Sequence, residues 1–288
     1  MWICFLSCFI TLTCICGFNW RYLHPRLIAD SFSRITTKMA EGMPQFSSIY
    51  HSLESVLNFF KSTQFCQVEQ VEKLLHIFKE NYNEDAQPTS QRLHPFIVVE
   101  GLDGSGKSTI VKKLKSKINA ETLSTPPGCL MELRSWFDDQ ASDVRRAYYS
   151  LGNYIVGQQV ESLVQACPVI MDRFWHSTAA YAIADEVKDM EQDLPPVDDS
   201  VYKWPDDLTK PDIVLFLNVS EYHRLQRHAG RNTTNTLEEQ ELAANTLWRK
   251  NVVEAHKRVW NVSMEVVNAN RYPNKVIAQC LEIITPLL

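Results

Sequence analysis

The chain has 288 residues, 45% of them hydrophobic and 22% charged, which excludes a collagen and a disordered tail protein and leaves room for one large domain plus an appendage. With 29 Lys+Arg against 34 Asp+Glu the formal net charge is -5, so no global field draws the chain to nucleic acid. Any polyanion it binds must be held by a local cluster of donors. Of the eight cysteines, Cys4, Cys8, Cys14 and Cys16 crowd the start and the rest are scattered without a C-x-x-C pair, so neither a disulfide framework nor a structural zinc site is expected.

Residues 1–40 read as an apolar targeting segment. Residues 2–18 carry no charge, and Arg21, Arg26, Arg34 and Lys38 follow with Asp30 as the one acid before Glu41. Three readings stand: the apolar core of a signal peptide or membrane anchor, a mitochondrial presequence with a greasy start, or a true start at Met39 or Met43. The Asn-x-Ser sequon at Asn218 falls at the end of a strand read as buried, where a glycan would not fit, and this argues against secretion. The expected address is the mitochondrion, with the cytoplasm as the alternative, and membrane contact is expected only through the apolar N-terminus.

Residues 41–92 form a helical lead-in and linker. Apolar residues recur at helical spacing in two runs, Phe46 to Phe60 and Val68 to Phe78, and the polar stretch 83–91 with Pro88 reads as a linker. From 93 to 288 short β-branched runs alternate with helices: strand 95–100, helix 107–118, strand near Thr122, helices over 130–166, strand 168–172 and helix 177–187. Strand 212–219, one long helix over 237–260, strand 263–269 and a terminal helix complete the series. This pattern predicts an α/β fold, a doubly wound parallel sheet buried on both faces.

Directly after the first strand comes Gly101-Leu102-Asp103-Gly104-Ser105-Gly106-Lys107-Ser108-Thr109, the pattern G-x-x-x-x-G-K-S opening a helix. Glycines let the backbone wrap phosphate oxygens with its N–H groups inward, Lys107 reaches the β/γ-phosphates, Ser108 can ligate Mg²⁺ and the helix dipole adds to the attraction. The motif predicts nucleoside triphosphate binding. No N-K-x-D string follows, which disfavours a GTPase, and the single short sheet disfavours a motor.

The strings PFIVVEGLDGSGKST, PVIMDRFWHSTAAYA and PDIVLFLNV, in that order and spacing, resemble the thymidylate-kinase family of nucleoside monophosphate kinases over about residues 94–288. The resemblance implies a P-loop kinase with a lid. ATP would be the donor, Mg²⁺ the cofactor and a pyrimidine nucleoside monophosphate the acceptor, with no nucleic acid as partner and a homodimer as the expected assembly. It further implies that Arg173 binds the acceptor phosphate, that Asp172 sits by the Mg²⁺, and that Asp103 accepts a hydrogen bond from the acceptor sugar.

Tyr149 falls where the family stacks an aromatic on the base. Four residues on, Asn153 replaces the family's base-reading Arg, and because an amide both donates and accepts, uracil and cytosine are the expected bases. Tyr181, four residues after Ser177, either faces the nucleotide or packs within its helix. The family's arginine-bearing string after the next strand is replaced by Thr125-Pro126-Pro127-Gly128, leaving Arg134, Arg145 or Arg146 to substitute.

Residues 221–239, with Arg224, Arg227 and Arg231, match the lid. Its mobile arginines would meet the charge of the transition state, so Arg227 and Arg231 join Lys107, Arg173 and Asp172 as catalytic candidates. Residues 268–271 match the backbone loop around the adenine. Two rival readings stay open: a thymidylate kinase proper, and a nucleotide-binding module without catalysis.

Overall fold

A computed structural model describes residues 46–65, 67–86, 91–229 and 237–288. The targeting segment expected at 1–40 and the lid arginine Arg231 lie outside the described residues.

Five strands form one parallel sheet: β1 (Phe96–Glu100), β2 (Glu121–Ser124), β3 (Val169–Asp172), β4 (Ile213–Asn218) and β5 (Met264–Asn268). Their order is β2-β3-β1-β4-β5, so the chain reverses its winding direction beside β1, where doubly wound sheets open a crevice at the strands' carboxyl ends. Val99 pairs with Asp172, and Glu100 with Phe216, which brings the ends of β1, β3 and β4 to one edge. Two-sided burial holds for β1 and for nearly all of β3 and β4, whereas the flanking β2 and β5 are largely open to solvent because each has a neighbour on one side only. Asn218 is itself exposed. The sequon argument against secretion therefore fails, since the residue emerges at the strand end instead of being buried within it.

Helices cover both faces. On one, α3 (Lys107–Ile118) and α10 (Pro273–Ile284) set Ile110, Val111 and Leu114 with Val276, Ile277 and Cys280 against Ile97, Val99, Leu215 and Leu217. On the other lie α5 (Ser142–Leu163) and α6 (Trp175–Asp189), packed on Phe96, Val98, Val169 and Met171. The expected helical stretch 130–166 is divided into a 3-10 turn (Gly128–Leu133), a short α4 (Arg134–Asp138) and α5. Likewise the expected long helix over 237–260 is two, α8 (Leu237–Ala244) and α9 (Thr246–Arg258), because Asn245 accepts the Trp248 amide at 2.9 Å and caps the second. Between β4 and α8 stands α7 (Glu221–Ala229).

The lead-in contributes α1 (Leu53–Phe60), started by a Ser52–Ser55 capping box, and α2 (Glu69–Asn81), with acids in its first turn and Lys79 in its last. Val56, Phe60, Val71, Leu74 and Phe78 join the same hydrophobic cluster as α5 and α6. Polar ties reinforce the contact. Glu186 of α6 accepts the Ser47 and Ser48 amides at 3.2 and 2.7 Å, and Asp207 accepts the Leu53 amide at 2.8 Å and the Tyr154 hydroxyl at 2.6 Å. A single compact unit thus runs from Phe46 to Leu288, and the change of pattern near Leu93 marks no boundary in packing. With the sheet on one side and the lead-in on another, α5 is buried over most of its circumference. Among the described residues Cys129, Cys167 and Cys280 are free thiols.

Candidate active site

The P-loop conformation is dictated by its glycines. Gly101 has φ +140°, and a Cβ there would stand 2.8 Å from the Leu217 carbonyl oxygen, so no side chain fits. Gly106 has φ +98° and leads into α3, whose first turn points its free amides toward the loop. Lys107 is buried, and its Nζ donates to the Gly101 and Leu102 carbonyls at 2.8 and 3.1 Å. Burial and the nearby Arg173 guanidinium push its ammonium down to about 8, against the pull of Asp103, Asp172 and Glu100. The buried Ser105 hydroxyl has no hydrogen-bond partner among the described residues and lies against Gly101. Ser108 Oγ donates to Asp172 Oδ2 at 2.9 Å, so an alcohol and a carboxylate from different elements share one spot at the loop's mouth.

Two cavities meet at this loop. One, of about 820 Å³, is bounded by Gly104 to Gly106, by His223, Gln226 and Arg227 of α7, and by the turn Ala269 to Pro273 after β5. The other, of about 180 Å³, is bounded by Asp103, Arg134, Arg146, Tyr149, Arg173, Thr178, Tyr181 and Glu238 among others. The expected triphosphate-binding residues Gly101 to Thr109 therefore have a wide cleft on one side and a small charged pocket on the other.

Arg173 and Asp103 join the two sides, with Nη2 donating to Oδ1 at 2.6 Å. Arg173 adopts φ +67°, a left-handed conformation that a side chain disfavours and that the surrounding bonds must hold. Its guanidinium lies 5.8 Å from the centre of the Tyr181 ring, and that of Arg146 lies 5.5 Å from the same ring. Tyr181 is thus both packed and pocket-lining. Its buried hydroxyl has no hydrogen-bond partner among the described residues. Tyr149 also borders the pocket and donates its hydroxyl to Asp138 at 2.8 Å, which fixes its ring.

Other expectations change. Asn153 is completely buried and does not reach the pocket. Its Nδ2 donates to Thr178 Oγ1 at 3.0 Å, and Thr178 is the group that borders the cavity. The reason is the enclosed position of α5, which places Asn153 one layer behind α6. Arg227 is not a free lid cation: it donates to the Ser105 carbonyl at 2.7 Å and the Ala269 carbonyl at 2.6 Å, bracing the P-loop against the turn after β5. Arg224 is buried and forked onto Glu221 at 2.7 and 2.8 Å. Of the three candidates for the absent arginine, Arg134 and Arg146 border the small cavity, whereas Arg145 faces Asp185 at 3.6 Å. Arg146 is held between Asp185 at 3.1 Å and Glu238 at 2.7 Å.

The sequence reading missed Thr178, Glu238 and Glu100. Thr178 carried a usable signal, since it directly follows Ser177 in the string after Asp172-Arg173. Glu238 carried none, because only the tertiary fold, with α8 set against α6 and α9, brings it to Arg146. Among the described residues no group of three or more His, Cys, Asp or Glu side chains gathers to hold a metal, and no helix is long and apolar enough to cross a membrane.

Comparisons with known proteins bear on the family and the fold. The family model described as Thymidylate kinase matches residues 99–279, more than half of the chain. Mitochondrial UMP-CMP kinase 2 of Homo sapiens is 45% identical over 188 residues, which cover 65% of this chain and 42% of that protein, so the chain spans less than half of that relative's length. The thymidylate kinase of Leptospira borgpetersenii serovar Hardjo-bovis is 25% identical over 200 residues, covering 65% of this chain and 92% of that one. Among solved structures, thymidylate kinase from Candida albicans superposes with a TM-score of 0.54 at 22% identity, covering 69% of this chain and 93% of its own, a likeness of fold. A phosphate loop braced at both ends, an Asp-Arg strand end beside it and a family match over most of the sheet lead to one conclusion: the chain belongs to the thymidylate kinase family and has the P-loop nucleoside monophosphate kinase fold.

Proposed function

We propose that this protein transfers the γ-phosphate of ATP to a pyrimidine nucleoside monophosphate, with UMP, CMP and their deoxy forms as acceptors. The observation that carries the reading is the Asp103–Arg173 contact, which sets a phosphate-binding fork in the small cavity directly beside the loop that cradles a triphosphate.

The division of labour follows from the charges. Backbone amides from 101 to 108 and the α3 dipole hold the donor phosphates. Lys107 exchanges its two carbonyl partners for phosphate oxygens, which restores its full charge. Arg173 neutralises the acceptor phosphate so that two anions can approach in line, and that phosphate is itself the nucleophile, so no strong general base is required. Ser108 and Asp172 present hard oxygens of the kind Mg²⁺ prefers; they would hold the ion at the loop's mouth, where it would supply positive charge against the donor phosphates.

On the base side, Tyr149 supplies a ring face and Thr178 a hydroxyl. Because Asn153 already donates to Thr178 Oγ1, the threonine proton stays available for a carbonyl and its second lone pair for an amine, so one group serves uracil or cytosine. The similarity to a protein named UMP-CMP kinase 2 supports this choice, and the name of that relative also supports a mitochondrial address. A thymidylate kinase proper is the second reading, favoured by the family model and the bacterial relatives.

Steady-state turnover with ATP and UMP, CMP, dUMP, dCMP or dTMP as acceptor tests the proposal. The expected result is kcat/KM for the uracil and cytosine acceptors at least about tenfold above dTMP. Preference for dTMP would move the assignment to the second reading. ATP turnover indifferent to any acceptor would remove the kinase reading altogether.

A further inference from the structure

Glu100 ends β1 and is completely buried, a costly place for a carboxylate unless its oxygens are used. Both are used, and by one short segment. Oε1 accepts the Phe174 amide at 2.8 Å and the Ser177 amide at 3.2 Å, while Oε2 accepts the Ser177 hydroxyl at 2.6 Å. The same Ser177 Oγ accepts Arg173 Nη1 at 2.9 Å. From α9, His256 Nε2 stands 3.7 Å from Oε2, within reach of charge attraction though beyond a hydrogen bond. Burial works against ionisation, but the His256 and His176 imidazoles and the Arg173 guanidinium hold this carboxyl well below the usual carboxylate range.

We propose that Glu100 is a positioning residue for the acceptor phosphate, fixing Arg173 at both ends: its backbone through the Phe174 amide and its guanidinium through the Ser177 hydroxyl. The inference rests on the reading that Arg173 binds that phosphate. Its physical basis is the polarity of the relay. A carboxylate only accepts, so the Ser177 proton is committed to Glu100 and the serine lone pair must face Arg173. The direction Arg173 to Ser177 to Glu100 is thereby set before any substrate arrives. The Phe174 amide bond acts on the backbone immediately after the left-handed Arg173, the place where the chain would otherwise relax. His256 of α9 stands beside the relay, its Nε2 3.7 Å from Oε2.

A purely structural role predicts a different outcome, because Phe174 and Ser177 also start α6 and a cap at that point would support the helix alone. Glu100→Gln separates the two. The glutamine carbonyl keeps both amide bonds and hence the cap, whereas its NH₂ can only donate, so the Ser177 proton loses its acceptor and the negative charge behind the Arg173 fork is removed. Expected for Glu100→Gln, with UMP or CMP as acceptor, is a rise in acceptor KM of about tenfold or more, with ATP KM within about twofold and Tm close to that of the parent protein. Ser177→Ala should raise acceptor KM in the same selective way, and the double variant should add little, since both changes break one relay. Arg173→Met measured alongside tests the underlying reading by itself. An Arg173→Met protein with unchanged acceptor KM overturns that reading. If Arg173→Met loses the acceptor while Glu100→Gln leaves acceptor KM unchanged, or shifts both KM values equally with a lowered Tm, the positioning role is overturned and the phosphate-binding role of Arg173 stands.

Discussion

The two sides of the P-loop bind their ligands by different means. The phosphate cradle of the donor side is built from nine consecutive residues, 101–109, and works mainly through backbone: glycine dihedrals, amides and a helix end. The acceptor side is built from side chains that arrive on separate elements, namely Asp103 from the loop, Tyr149 and Arg146 from α5, Arg173 and Thr178 from around the start of α6, and Glu238 from α8. A backbone site tolerates sequence change around it as long as the path of the chain survives. A side-chain site can be retuned one residue at a time.

That contrast can be broken or sharpened by experiment. The largest effects belong to the donor side. Gly101→Val forces a Cβ against the Leu217 carbonyl and should abolish both nucleotide binding and turnover. Lys107→Ala leaves the backbone cradle in place and should lower kcat by about 10³-fold while ATP still binds, as followed by calorimetry and coupled assay. Equal loss of binding in the two variants would contradict a backbone-built donor site. Next comes Arg146→Met, which removes the buried guanidinium between Asp185 and Glu238 while Arg145, Ser142 and Trp248 remain on Asp185, and should destabilise the fold by about 1–3 kcal/mol in urea denaturation. Thr178→Val keeps the shape and removes one hydroxyl. It should lower kcat/KM for UMP and CMP about tenfold with ATP KM unchanged, and a parallel change in ATP KM would count against a separate acceptor site.

The smallest effect is a pH dependence. Lys107 releases its proton near pH 8 in the native protein and, when unfolded, near the ordinary 10.5, so the unfolded state binds more protons between these values. Stability of the ligand-free protein should rise across that interval relative to Lys107→Met, and saturating ATP should erase the rise by keeping the ammonium charged. Identical Tm profiles for the two proteins would show that Lys107 is not perturbed.

Legibility followed the same division. The P-loop, the Asp172-Arg173 strand end and the alternation of strands and helices were readable because each depends on residues adjacent in the chain. Asn153 was misplaced because α5 is buried over most of its circumference, so its periodicity does not reveal which face meets the pocket. Arg227 read as a mobile cation because a basic helical stretch gives no sign that the carbonyls of Ser105 and Ala269 stand opposite. Glu100 passed as the polar end of a strand, and its function depends on the turn after β3, which reaches it through sheet pairing alone.

The sequence by itself determined the local conformations: the glycine path of the phosphate loop, the strands and helices around it, and the chemical types available for catalysis. Tertiary structure decided which of those side chains share a cavity, with Thr178 lining the pocket and Asn153 behind it, and it joined the lead-in helices to the domain core. The physical reason is that dihedral preference and hydrophobic period act over a few residues, whereas the meeting of α5, α6 and α8 at one pocket depends on how helices pack across a sheet, which no single segment encodes.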